Sequence, residues 1–293
     1  MRRLFSTVFC LGILLVSAGS LFADTTYHAA ALGPAEVGPC GGGGTVFGSA
    51  PVSIGVSCGP IGGSVDGAAA TTPGHLGVRL KEDESLGGHG EVEASIVTNV
   101  TFTSSDSNAT SVLAALNLHI DGLVTLSGSA NGGWLATAEF DDGTEFHYSD
   151  ALDTSGDNCI NGSCARDMTL TGFDNLGLDS DSIDGTLTTP MVLVPLNTPV
   201  TITFSLSAAG FGNPGSFDAE LPASLEFLEG GPVFSFFDTN GNPISGYSAD
   251  DPEEFLNNNR YSPEASVPEP GSLILLGTGL AGVASLFRRR PRK

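Results

Sequence analysis

The chain has 293 residues, 33 of them Asp or Glu and 11 Lys or Arg, for a formal net charge of −22. A nucleic-acid partner is excluded, because duplexes are held by Lys and Arg that neutralise phosphates. Seven of the basic residues sit at the two ends, leaving four against 32 acidic residues between Asp24 and Val267 and a net −28 on that body. Gly (40) and Pro (17) make about a fifth of the chain, below the roughly 25–30 % of low-complexity sequence. With 40 % apolar residues, the body can fold as one domain or two.

In chain order, residues 1–23 read MRRLFSTVFCLGILLVSAGSLFA. A charged start, an apolar run from Leu4 to Val16 and small residues after it spell a secretory signal peptide, handled by the Sec translocon and signal peptidase. Cleavage after Ala18 puts Val16 at −3, whereas cleavage after Ala23 gives the more usual length and is preferred. Only Met1 precedes Arg2 and Arg3, so they form a plain charged start, not a twin-arginine signal. Phe9 before Cys10 argues against a lipoprotein.

Four cysteines remain after signal removal: Cys40, Cys58, Cys159 and Cys164. An even number in an exported chain reads as two disulfides with three connectivities. Neighbour pairing, Cys40 with Cys58 and Cys159 with Cys164, is favoured because each pair encloses a Gly-rich turn segment. The alternative, a four-thiolate zinc site, lacks any Cys-x-x-Cys. Gly55-Val56-Ser57-Cys58-Gly59 fits G-x-S-x-G, but the nucleophile elbow needs a helix after the serine, and Gly59-Pro60-Ile61-Gly62-Gly63 cannot start one. The five histidines form no HExxH or H-x-H pattern, and His119 falls on the polar face of its strand.

Period-two alternation predicts strands through the body. Val92, Ala94, Ile96, Val100 and Phe102 are apolar at even positions, as are Val112 to Ile120 and Val200 to Ala208, whereas Phe217 to Phe227 alternate on odd positions. Strands of 6–10 residues separated by Asp-Gly, Asn-Gly and Gly-Gly turns imply an all-β fold, an antiparallel β-sandwich of jelly-roll type, spanning 24–262 with a possible subdomain split near 150–165. In GWLATAEFDDGTEFHYS a three-residue loop, Asp142 to Thr144, pairs Phe140 with Phe146 and keeps Trp134 and Tyr148 on the buried face. The solvent face then sets Glu139 opposite His147 and Asp141 opposite Glu145, a candidate metal patch whose simpler reading is an exposed charged pair.

Further along, Asp174, Asp179, Asp181 and Asp184 crowd one loop, where Ca²⁺ would relieve their repulsion. The spacing is one residue out of step with an EF-hand, so a solvated acidic loop is the alternative. Asp238, Asn240 and Asn242 in DTNGN offer a second Ca²⁺ arrangement, read more simply as a hairpin turn. No other cofactor is expected. A sugar-binding module would need exposed aromatics, and only Tyr27, Tyr247 and Tyr261 are free for that role.

The chain ends in VPEPGSLILLGTGLAGVASLFRRRPRK. Residues 271–287 are uncharged and mostly apolar, about 25 Å as a helix against roughly 30 Å of hydrocarbon, a short membrane helix. Arg288, Arg289, Arg290, Arg292 and Lys293 would keep that end in the cytoplasm. A Pro-Glu-Pro motif (Val267, Pro268, Glu269, Pro270), a short apolar helix and a basic tail, in that order over 263–293, resemble the PEP-CTERM sorting signal of secreted proteins in Gram-negative bacteria. The resemblance implies recognition by an exosortase, a membrane protease that processes the tail near Pro268-Glu269-Pro270 after transient anchoring in the inner membrane. It also implies delivery of the body to the cell surface or extracellular matrix, where exopolysaccharide is a potential partner. The expected protein is non-catalytic, and the alternative is a secreted carbohydrate- or Ca²⁺-dependent ligand-binding module.

Overall fold

The computed structural model describes residues 25–32, 40–58, 63–84, 88–153, 166–176, 180–212, 215–228 and 230–262. The signal peptide, Cys159, Cys164, the sorting motif, the apolar tail helix and the basic tail lie outside them. Contacts divide the chain into two compact units, Met1–Tyr261 and Ser262–Lys293. All regular structure among the described residues is β, and they contain no helix long and apolar enough to cross a membrane.

The strands begin with β1 (Thr26–Leu32), β2 (Cys40–Gly42), β3 (Gly44–Gly48), β4 (Ser53–Cys58), β5 (Gly63–Thr72) and β6 (His75–Glu84). Two long strands follow, β7 (Gly88–Ser104) and β8 (Ser111–Gly128), then the hairpins β9 (Asn131–Phe140) with β10 (Glu145–Asp153) and β11 (Thr169–Leu176) with β12 (Ser180–Thr188). Next come β13 (Val192–Pro195), β14 (Pro199–Gly212), β15 (Gly215–Phe227) and β16 (Phe234–Phe237). The last are β17 (Tyr247–Asp250), β18 (Leu256–Asn257) and β19 (Arg260–Tyr261). They form two large antiparallel sheets. One runs β10-β9-β14-β7-β1-β3, with β17 extending the end of β7; the other runs β11-β12-β8-β15-β6-β5-β4-β2, with β13 and β16 on the first half of β8. β18 and β19 make a small hairpin.

Alternation explains how the sheets face each other. The even positions of β7, β8 and β14 and the odd ones of β15 point inward, so Ile96, Phe102, Leu118, Phe204, Phe217 and Phe227 all lie in one buried cluster. Burying each such side chain contributes roughly 1.5–3 kcal/mol, which is why a strand with one apolar face settles with that face inward. Tyr148 and Met168, on either side of the 150–165 segment, join the same cluster. β15 shifts register between Leu221 and Leu225 against both neighbours. The shift is by two residues, so the odd positions stay inside across it.

Two sequence expectations are corrected. Strands of 6–10 residues give way to β7 and β8 of 17 and 18 residues; β8 runs on because Asp121-Gly122 does not turn, Asp121 pairing with Asp184 within the sheet. The β9–β10 loop does have three residues, but they are Asp141 to Gly143: Phe140 N donates to Thr144 O at 2.9 Å and Gly143 N to Phe140 O at 2.9 Å. Gly143 has φ of 78°, the left-handed residue that closes a three-residue hairpin loop. Ala138 therefore faces Phe146 and Glu139 faces Glu145; the inner and outer faces are unchanged because the register moved by an even step.

Candidate functional site

The acidic loop of the sequence is the β11–β12 hairpin, with Leu176 opposite Asp181 and Phe173 opposite Asp184. Asp181 is fully buried and its Oδ2 accepts the Trp134 indole N–H at 3.0 Å. Asp184 projects from the other face, three-quarters exposed, 3.4 Å from His119 Nε2. Residues three apart on a strand point to opposite faces, so these two carboxylates cannot share one ion. The backbone of Asp174 lies opposite Ile183; its side chain, and Asp179, fall outside the described set. Among the described residues no group of three His, Cys, Asp or Glu is placed to hold a metal ion.

The hairpin patch is rearranged by its register. His147 faces Thr137, not Glu139, and its Nε2 lies 3.6 Å from the Glu145 carboxylate on its own strand. On the inner face Trp134 stacks on Tyr148 with centroids 5.4 Å apart. Arg166 lies 5.3 Å from the Tyr148 ring centroid and pairs with Asp150.

DTNGN is a capped turn. Asp238 Oδ1 accepts the backbone N–H of Asn240 and Asn242 at 2.8 and 2.9 Å and its Oδ2 accepts the Asn242 side-chain amide at 3.0 Å; the Asn242 side-chain bond foremost, then its backbone bond, hold the carboxyl below the ordinary range. Ser57 of G-x-S-x-G lies within β4 opposite Asp66 and Gly41, with no elbow. The same register sets Cys40 directly opposite Cys58. His119 faces outward but is half-buried, its Nδ1 3.3 Å from Glu226, whose other oxygen lies 2.5 Å from His75 Nδ1.

A cluster not singled out by the sequence sits where the body begins and ends. Glu254 is fully buried; its Oε1 accepts the Tyr27 hydroxyl at 2.6 Å and its Oε2 the Gly74 N–H. Asp251, also buried, accepts the Thr98 hydroxyl on Oδ2 and the N–H of Glu253 and Glu254 on Oδ1. Thr25 N donates to Glu253 at 2.7 Å, and Thr25 and Thr98 share a hydroxyl bond of 2.9 Å. Burial pushes Glu254 up to about 7, helped by the neighbouring charges of Asp251 and Glu253 and opposed by its two donors. Burial likewise raises Asp251, and burial, then the bond to Glu254, holds the Tyr27 phenol well above its usual range. Tyr261 closes the group, its hydroxyl on Pro73 O at 3.0 Å. Tyr27 and Tyr261 are thus buried, not free for stacking on sugars. The signal was Thr98, the one polar residue among the fully buried even positions of β7: a buried hydroxyl requires a partner.

No characterised protein sequence matches the chain. The PEP-CTERM protein-sorting motif matches residues 266–290, covering Val267 to Pro270, the apolar stretch and the first three arginines of the tail. The chain therefore carries a PEP-CTERM protein-sorting motif at residues 266–290, which supports an exported protein targeted to an exosortase.

Proposed function

We propose that the chain is a structural, non-catalytic protein of the cell surface or extracellular matrix. Its signal peptide is removed after Ala23, its tail anchors transiently in the inner membrane, and an exosortase processes it near Pro268-Glu269-Pro270. The sorting motif at 266–290 carries this reading. The body supports it: its G-x-S-x-G serine lies mid-strand, and its Trp and three of its four Tyr, Tyr27, Tyr148 and Tyr261, are committed to packing and hydrogen bonding. The reading includes a Cys40–Cys58 disulfide, supported by their opposed register and by the bonded state of Cys58. A net charge of −28 between Asp24 and Val267 keeps such a body soluble and self-repelling at low salt, so retention in a matrix would require bridging partners such as exopolysaccharide or divalent cations.

The test replaces Pro268, Glu269 and Pro270 together by Ala in the native host. The variant should accumulate in the membrane fraction while the wild type reaches the surface or medium. Equal surface delivery of both would refute exosortase processing at this motif.

A further inference from the structure

The buried carboxylates at the body's end join four separate pieces of chain. β1 supplies Tyr27, β7 supplies Thr98, the β5–β6 turn supplies the Gly74 N–H, and the loop Asp251–Glu254 supplies three carboxylates. No ion pair among the described residues brings a cation to Glu254 or Asp251. The nearest imidazole in sequence, His75 beside Gly74, is engaged by Glu226 and lies edge-on to Tyr261 at 5.2 Å. A carboxylate without a countercharge in such a place is costly when ionised, whereas the neutral acid keeps both contacts, its own O–H and the Tyr27 hydroxyl exchanging the donor role.

We propose that Asp251–Glu254 is a proton-operated clasp, closed on β1 and the Pro73-Gly74 turn when Glu254 is neutral and loosened when Glu254 ionises. The closed form holds the proton more tightly than the open one, with Glu254 raised from 4.5 to about 7. Its stabilisation is fully present below the open-state value and is lost as pH rises through the closed-state one. Asp251, raised in the same direction by burial, adds to the effect, while Glu253 and Tyr27 contribute repulsion and a donor bond. Loosening would free β1 and the last described strands of the body, more at neutral or alkaline pH than at acidic pH.

Hydrogen exchange of the full chain in detergent, read by mass spectrometry and corrected for intrinsic rates, tests the clasp. Between about pH 5.5 and about pH 8.5, opening of the peptides covering 25–32 and 251–261 should rise by about thirty-fold, while the interiors of β8 and β14 stay unchanged. Glu254→Gln should flatten that rise. Tyr27→Phe, which removes a donor that favours the anion, should move the midpoint to higher pH. A wild type whose opening changes less than about threefold, a Glu254→Gln chain that keeps the wild-type pH response, or a Tyr27→Phe midpoint unmoved or lowered would each overturn the proposal. None of these outcomes depends on tail processing, so the clasp and the sorting role fail separately.

Discussion

The Phe217 ring is packed tightly against two glycines of the facing sheet, and a single methyl group at Gly210 should reveal how tightly. Gly132 and Gly210 are Cα partners on β9 and β14, and the fully buried Phe217 ring rests on both. A Cβ at Gly210 would lie 2.3 Å from Phe217 Cδ1 and 3.0 Å from Glu82 Oε2, and one at Gly132 would lie 2.4 Å from Phe217 Cε2. Gly90, opposite Gly210, meets Glu82 Oε1 at 2.3 Å in the same way. Carbon atoms ordinarily settle about 3.5–4.0 Å apart, so the ring must retreat by about 1 Å in a core with few voids. Overpacking of this kind costs about 1–3 kcal/mol, and with Glu82 on the other side the upper end applies. Exchanging Gly for Ala in a strand returns roughly 0.5–1 kcal/mol, so Gly210→Ala should cost about 2 kcal/mol net. Phe217→Leu, which replaces the ring with two methyls able to turn aside, should cost about 1.5 kcal/mol. The double variant should lose at least about 1 kcal/mol less than the sum, because the new methyl fills space the ring vacated. Urea unfolding followed by fluorescence of Trp134, the sole tryptophan, measures all four proteins. A Gly210→Ala loss under about 0.5 kcal/mol, or additivity within that margin, would refute the close approach.

Trp134→Phe removes the indole donor from the buried Asp181 carboxylate, a loss of about 2–3 kcal/mol. Thermal unfolding should fall by about 5–10 °C for a body of this size, and an unchanged melting temperature would deny that bond a stabilising role. Cys58→Ser should cost about 3 kcal/mol by loop entropy. A non-reducing peptide map of the wild type should join Cys40 to Cys58; a peptide linking either to Cys159 or Cys164 would overturn the neighbour pairing.

Much of the fold was legible because period-two alternation needs only apolar residues at every second place. Val92 to Phe102 and Val200 to Ala208 are inside as their parity requires. Hairpin register was legible to within an even step: two three-residue loops keep Phe146 and Tyr148 on the inner face, and parity cannot choose between them. Gly143 could have chosen, since the left-handed place in such a loop is its last residue. Strand length was not legible, because Asp121-Gly122 reads as a turn until the partner strand Ser180–Thr188 is there to continue the ladder. The acidic end of the body was hidden for a different reason. Asp251, Glu253 and Glu254 look like a solvated run, as most carboxylates are, and the donors that tie them to the rest of the body, Thr25, Tyr27, Gly74 and Thr98, are more than 150 residues away in the chain. Parity also separates two carboxylates of the acidic hairpin: Asp181 and Asp184 are close in sequence but an odd step apart along one strand, so they point to opposite faces.

The bond between Thr25 and Glu253, with Tyr27 and Tyr261 beside it, brings the entry and exit of the sandwich to one place. Under tension that geometry decides the order of failure. A pull between two adjacent ends is carried first by the few hydrogen bonds that close them, which open one at a time like a zip, and not by the long ladders of β7, β8, β14 and β15 loaded in shear. A sandwich tethered through either end alone would keep its core unloaded, whereas one stretched between both would yield at its margin and leave the two sheets intact.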